Sequence, residues 1–344
     1  MIGVPHYIQR FREKNDALGY SGRHVVVVGG TRGLGAATAE KLASLGASVT
    51  IVGRARDAGE EVIRSCQERS PHASSAVFKL VIGDLSLLSE TGRIADCVEE
   101  DCLAADRGID ALVLAAGCYG SSSNYTMLSS SVKTSEGIDY WFALLYLSRF
   151  LLIQRLLPRL LLQPSSRVIN ILHAGSRANL DLTNLGLDGK SNLETISSIG
   201  LYLDAMTLSL AEMHHSIAFY HISTGPMVPY PVVEDNMRYP ALAWLQKVLR
   251  PWLYAQSILA MEAAETVVYL AIQPEFAAEQ SGTLMSDRLE NLPLTRFMVS
   301  ADTHDRIWSF TVNDINHRAP SQLAKCQHIS AGEQMHLPSV DISH

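Results

Sequence analysis

Residues 25–35 read Val25-Val26-Val27-Val28-Gly29-Gly30-Thr31-Arg32-Gly33-Leu34-Gly35, four β-branched residues running straight into a glycine-rich turn. Consecutive valines with no polar alternation describe a strand buried on both faces, the habit of parallel sheets. An Ala-rich helical pattern follows over residues 34–45. Glycine lets such a turn close tightly and lets backbone N–H groups approach a pyrophosphate at the helix N-terminus. The glycines at 29, 33 and 35 depart from GxGxxG spacing, but the strand before and the helix after supply the context the motif requires. A turn that binds nothing is the alternative.

Outward from this unit, apolar runs alternate with helical patterns, the mark of βαβ units. Further strands are expected at 48–52, 76–82, 111–115, 167–172, 218–223 and 282–285, and helices at 57–69, 87–105, 140–157, 199–213 and, in two segments, 240–272. The expected fold class is therefore α/β, a doubly wound parallel sheet with helices on both faces, in a single domain with extensions. Residues 1–20 read as an N-terminal arm, 21–287 as the domain, and 288–344 as a tail that partly packs.

The chain has 344 residues, 47% of them hydrophobic and 18% charged, enough apolar material for a large core. Thirty-five acidic residues against 28 Lys plus Arg leave a net charge of −7. With no basic cluster besides, nucleic acid is not an expected partner. The five cysteines, at 66, 97, 102, 118 and 326, show no CxxC pairing, so neither a disulfide framework nor a metal site is expected. The N-terminus lacks the apolar run of a signal peptide. Arg149, Arg155, Pro158 and Arg159 interrupt the most hydrophobic stretch, 141–162, which reads as a buried helix and not a membrane span. A cytoplasmic location follows as the expectation.

Over residues 22–287 the sequence resembles the short-chain dehydrogenase/reductase family, which has a Rossmann-type sheet. Its TGxxxGxG turn is matched by Gly29, Gly33 and Gly35, with Val28 in place of Thr. Gly83-Asp84-Leu85-Ser86 resembles the segment whose Asp contacts adenine. Leu114-Ala115-Ala116-Gly117 sits at the family's NNAG motif, Ala115 replacing a structural Asn. Residues 181–189 resemble the insert of the retinol-dehydrogenase-like branch. Ser135-Glu136-Gly137-Ile138-Asp139 and Leu147-Ser148-Arg149-Phe150-Leu151 are similar to a divergent fungal subgroup, often found in natural-product biosynthesis. The resemblance implies cofactor contacts from Gly29, Thr31, Arg32, Gly33, Leu34, Gly35, Arg54, Asp84, Leu85, Ala116 and Gly117.

Charge points to NADP. NAD enzymes of this architecture carry an acid after the second strand for the ribose 2′-OH. Here Gly53-Arg54 stands there, with Arg32 in the turn, and two guanidinium groups suit a 2′-phosphate. Surface arginines without a ligand are the alternative.

The family reaction couples hydride transfer to proton transfer by a Tyr, assisted by a Lys four residues later, a Ser and an Asn. Aligned on Tyr202, this chain has Met206 for the Lys, His173 for the Ser and Leu145 for the Asn. An ordinary Tyr titrates near 10 and is ionised about one part in a thousand at pH 7, so without the Lys it serves as a proton donor and not as a base. Reduction is thereby favoured over oxidation. An imidazole can donate a proton near neutrality, so His173 and Tyr202 are read as an acid–base pair on the substrate oxygen. A strand-capping histidine and a core tyrosine are the alternatives. Arg149, one turn after Leu145, reads as a surface or interface residue, with a substrate anion as the alternative.

Trp244, Leu245, Val248, Leu249, Trp252, Leu253 and Tyr254 fall in the family's lid region. They imply a hydrophobic small-molecule substrate, or plain core packing. The expected function is an NADP(H)-dependent oxidoreductase reducing a carbonyl or enone of a secondary-metabolite intermediate. A non-redox isomerase or cyclase, and a silent NADPH-binding protein, are the alternatives. The apolar helix at 141–157 could build a homodimer, as in relatives.

Overall fold

The computed structural model describes residues 4–117, 132–176, 180–225, 259–295, 298 and 300–327. Seven parallel strands lie in the order β3-β2-β1-β4-β5-β6-β7. They are β1 (His24–Val28), β2 (Ser48–Gly53), β3 (Phe78–Ile82), β4 (Ala111–Leu114), β5 (Arg167–Ile171), β6 (Ala218–Ile222) and β7 (Thr283–Met285). The chain runs outward from β1 through β2 to β3, returns to β4 beside β1, and continues to β7. That reversal opens a crevice at the carboxyl ends of β1 and β4, where such sheets bind ligands.

Helices cover both faces. α1 (His6–Ala17), α2 (Gly33–Ser44), α3 (Arg56–Arg69) and α7 (Ala260–Ile272) lie on one side. α4 (Leu88–Ala104), α5 (Tyr140–Leu160) and α6 (Asn192–Met213) lie on the other. The alternation of β1 divides its valines between them: Val26 and Val28 enter one core, Val25 and Val27 the other. All four are at most 1% exposed, which is why the run carries no polar residue.

Two expected boundaries move. Residues 1–20 are more than an arm: Ile8, Phe11 and Asn15 of α1 are buried, and the Phe11 ring stacks on Tyr269 of α7 with centroids 4.4 Å apart. The helix expected from residue 199 begins seven residues earlier, under a capping box. The Ser191 hydroxyl accepts from Glu194 N at 3.4 Å, and Glu194 Oε2 accepts from Ser191 N at 2.9 Å.

Beyond the sheet, α8 (Ala301–Arg318) and α9 (Pro320–Gln327) lie against α5. Trp308 meets Phe150 with centroids 4.9 Å apart, the Tyr146 and Thr311 hydroxyls bond at 2.7 Å, and Arg155 donates to Gln322 Oε1 at 3.1 Å. α5 is long and apolar enough to cross a membrane, but 94% of its most hydrophobic window is buried within the protein. The face expected to pair with a second copy is thus enclosed by the chain's own C-terminal helices.

Candidate functional site

The crevice is built first by the turn after β1. Gly29 takes φ +85°, and a Cβ on it would stand 2.6 Å from the Ala116 backbone, so the turn is seated directly on the end of β4. A Cβ on Gly35 would meet the Gly29 carbonyl oxygen at 2.3 Å, so α2 begins tight against the turn. Gly33, at φ +56°, has no atom within 4 Å of its Cβ position. The first turn of α2, Gly33-Leu34-Gly35, carries no side-chain cap at Arg32 and no acid, which leaves its N-terminal dipole available to an anion. Thr31 packs under this turn, since a Cβ on Gly53 would touch its Cγ2 at 2.4 Å.

Arg54 follows β2 and is half exposed, its Nη1 3.7 Å from Asp84 Oδ2. The same nitrogen donates to the Tyr140 hydroxyl at 3.2 Å. Asp84 Oδ1 accepts from Ser86 N at 2.9 Å and from the Ser86 hydroxyl at 2.8 Å, an Asx turn that holds Leu85 in the core. Arg32 is exposed at the mouth. Of the predicted set, the structure brings Gly29 against Ala116, Gly35 against Gly29 and Arg54 beside Asp84, while Leu85 lies in the core. Tyr140, which sequence reasoning missed, closes the β2–β3 side of the crevice.

The run Ser135–Asp139 has a structural role. Glu136 accepts from Leu88 N at 2.6 Å and Ser89 N at 3.0 Å, placing a carboxylate on the N-terminus of α4. Asp139 accepts from Phe142 N at 3.0 Å and opens α5. A π-helical segment, Ala143–Leu147, then brings Leu145 to the crevice floor, 4.0 Å from a Cβ on Gly117.

Arg149 corrects an expectation. It is 1% exposed, and its Nη2 donates to Ala116 O at 2.8 Å and Ile171 O at 3.1 Å. Through that one nitrogen it ties the chain beyond β4 to the end of β5, the work of a buried strut and not of a surface residue.

The expected His173–Tyr202 pair does not form. Helix α6 meets the turn after β5 at Gly200, whose Cβ would lie 2.8 Å from His173 O and 2.8 Å from Ser176 Cβ. Tyr202 is two residues on, about 200° around the helix. Its ring packs against Phe142 and Tyr146 at 5.4 and 5.1 Å, fully buried, and its hydroxyl donates to Leu185 O at 2.8 Å. Burial raises its pKa far above the ordinary range, with Tyr146 adding to the shift. It is a core tyrosine holding the 181–189 insert. The face of α6 toward His173 carries Ile196, Gly200 and Asp204, with neither Tyr nor Lys.

His173 lies just past β5 with its side chain exposed. Neighbouring protein and then the charge of His221 lower its pKa, which favours the neutral ring. Behind it, His221 Nδ1 donates to Asp204 Oδ1 at 2.6 Å, both side chains 0% exposed. Their pairing depends on strand register and helix phase, and no sequence motif announces it. The apolar residues 244–254, Pro226 and Cys118 lie outside the described residues. Among the described residues no group of three His, Cys, Asp or Glu could hold a metal.

The fold and its glycine turn define a doubly wound α/β protein with a ligand crevice at the strand reversal. A short chain dehydrogenase family model matches residues 23–180. The oxidoreductase AN1596 of Emericella nidulans is 27% identical over 256 residues, 74% of this chain and 72% of that protein. Human retinol dehydrogenase 14 is 27% identical over 283 residues, 78% of this chain and 79% of its own length. The structure of L-sorbose reductase from Gluconobacter frateurii, complexed with NADPH and L-sorbose, superposes with a TM-score of 0.56 at 22% identity, covering 78% of this chain and 96% of that one. Over residues 23–180 the chain is thus similar to the short-chain dehydrogenase/reductase family, and the relatives carry that likeness over about three quarters of its length.

Proposed function

We propose that the protein is an NADP(H)-dependent reductase of hydrophobic carbonyl compounds, with His173 as the proton donor. The observation that carries the cofactor reading is Arg54, half exposed beyond the glycine turn and directed by Asp84 and Tyr140. The turn fits the pyrophosphate: its glycines hold the backbone where side chains would collide, and the N-terminus of α2 faces the crevice without an acid. Arg54, with Arg32 nearby, would hold the 2′-phosphate through charge-assisted bonds. When bound, NADPH supplies the hydride.

This chain's own residues then have limited tasks. Leu145 and Gly117 give an apolar floor, Arg149 fixes the two strand ends beside it, and protonated His173 gives its proton to the developing alkoxide, returning to the neutral ring. The resemblance of Ser135–Asp139 and Leu147–Leu151 to a fungal subgroup of natural-product biosynthesis supports a secondary-metabolite substrate, and the apolar residues in 244–254 support a hydrophobic one. Cys66, Cys97 and Cys102 are unpaired, in keeping with a cytosolic setting.

The test is calorimetric titration with NADPH and NADH, with Arg54→Ala alongside. Losing one charge-assisted contact of about 1.5–3 kcal/mol should weaken NADPH by roughly 10- to 100-fold and leave NADH nearly unchanged. No binding of either nucleotide up to millimolar concentration would sink the reading. The bare Gly200 face favours a second reading, cofactor binding without hydride transfer. Deuterium passing from labelled NADPH into product would exclude it.

A further inference from the structure

The pair behind His173 is unusual in its placement. Asp204 comes from α6, His221 from β6, and they meet at 2.6 Å where neither is accessible to solvent. Because the carboxylate can only accept, the proton between them sits on His221 Nδ1. The same oxygen, Asp204 Oδ1, also accepts from Gly175 N at 3.2 Å, and Gly175 is two residues beyond His173. One carboxylate oxygen therefore joins β6 to the turn that carries His173.

The surroundings leave the pair with spare hydrogen-bonding capacity. Asn170 of β5 is the register partner of His221 on the same sheet face. Its side-chain nitrogen and oxygen, His221 Nε2 and Asp204 Oδ2 are buried with no hydrogen-bond partner among the described residues. Orphaned buried polar atoms cost free energy, so a cluster of four is not the arrangement packing alone would choose.

We propose that Asp204 and His221 are the positioning pair of His173: joined through Asp204 Oδ1 to Gly175, they fix the turn from which that imidazole works and the surroundings in which it takes a proton. The claim rests on the reading of His173 as the proton donor. Among the described residues, the titratable and polar groups that face His173 come from the following packed elements. α6 offers Asp204, β6 offers His221, β5 offers the neutral Asn170, β7 pairs Leu284 with His221, and Leu292 packs on Gly175. The direction of the His173 shift, lowered by burial first and then by His221, agrees with this geometry.

The test uses the full-length chain with 15N-labelled histidine and follows the His173 ring through a pH titration by NMR. In His221→Gln, which can still donate to Asp204 but has no imidazole to face the turn, the His173 midpoint should rise by about 0.5 pH units or more. In Asp204→Asn the Gly175 amide should exchange at least tenfold faster. His221→Asn replaces the Gln variant if that one does not fold. A His173 midpoint unmoved or lowered in a folded His221 variant overturns the proposal. Since no turnover is needed, this outcome is separate from the proton-donor reading, which fails if His173→Ala leaves NADPH-dependent reduction of hydrophobic ketones intact.

Discussion

The Tyr202 hydroxyl donates to the Leu185 carbonyl at 2.8 Å, so the tyrosine that the family motif nominates is spent on holding the 181–189 insert to α6. Tyr202→Phe should therefore cost about 1 kcal/mol of stability, the worth of one buried hydrogen bond. NADPH affinity should stay within about twofold. Urea denaturation and nucleotide titration check both. A catalytic tyrosine would instead lose roughly 100- to 10,000-fold in turnover.

The glycines of the turn should differ in their tolerance. Gly35→Ala places a Cβ at 2.3 Å from a backbone oxygen that cannot yield, and Gly29→Ala meets the Ala116 backbone at 2.6 Å. Both should abolish cofactor binding and destabilise the fold by more than about 2 kcal/mol. Gly33→Ala has open space and meets only the left-handed penalty of about 1–2 kcal/mol. Thermal melts of the three variants would order them.

Glu136 is a long-range cap on α4. Removing a carboxylate that accepts two backbone N–H bonds at a helix N-terminus, Glu136→Ala, should cost about 1–2 kcal/mol. Gln, which keeps an acceptor oxygen, should recover part of it. Hydrogen exchange at Leu88 and Ser89 would rise in the Ala variant and reports the cap directly.

His24 makes the fold sensitive to mild acid. Its Nδ1 bonds Gly108 O at 3.2 Å and its Nε2 meets the Thr50 hydroxyl at 2.9 Å, a pattern that the neutral ring satisfies. Burial, followed by the charge of Arg107, pushes its pKa down to about 3. The unfolded chain binds a proton near pH 6.5 while the folded chain does not. Stability is therefore full above pH 6.5 and falls as the pH drops toward 3, by at most about 1.4 kcal/mol per pH unit. Denaturation at pH 7 and pH 5 should differ by about 1–2 kcal/mol more in the native chain than in His24→Gln.

Enclosure of α5 by α8 and α9 predicts a monomer. Light scattering should return one chain, 37.6 kDa, and a dimer would have to use another face or displace Trp308 from Phe150.

The sheet was legible because valine runs, glycine turns and amphipathic periods act locally, and the β1–α2 unit states its ligand chemistry in eleven residues. The α6 face was not. Tyr202 matches one letter of the motif, with Met206 in place of its Lys, but which side of a helix meets His173 is decided by the close approach at Gly200. The Ser191–Glu194 capping box, present in the sequence, marks the earlier helix start and would have shifted attention to Ile196 and Gly200. Arg149 escaped because charged residues are seldom buried unless paired, and here the partners are carbonyls that sequence cannot display.

The seating of α1 on α7 has a consequence for synthesis. Asn15 bonds Glu265, 250 residues later, so the first helix leaves the ribosome long before its binding surface exists. At roughly 5–20 residues per second that interval is about 12–50 s. During it Ile8 and Phe11 stay uncovered, and the nascent chain offers a chaperone an apolar helix face until Glu265 has emerged.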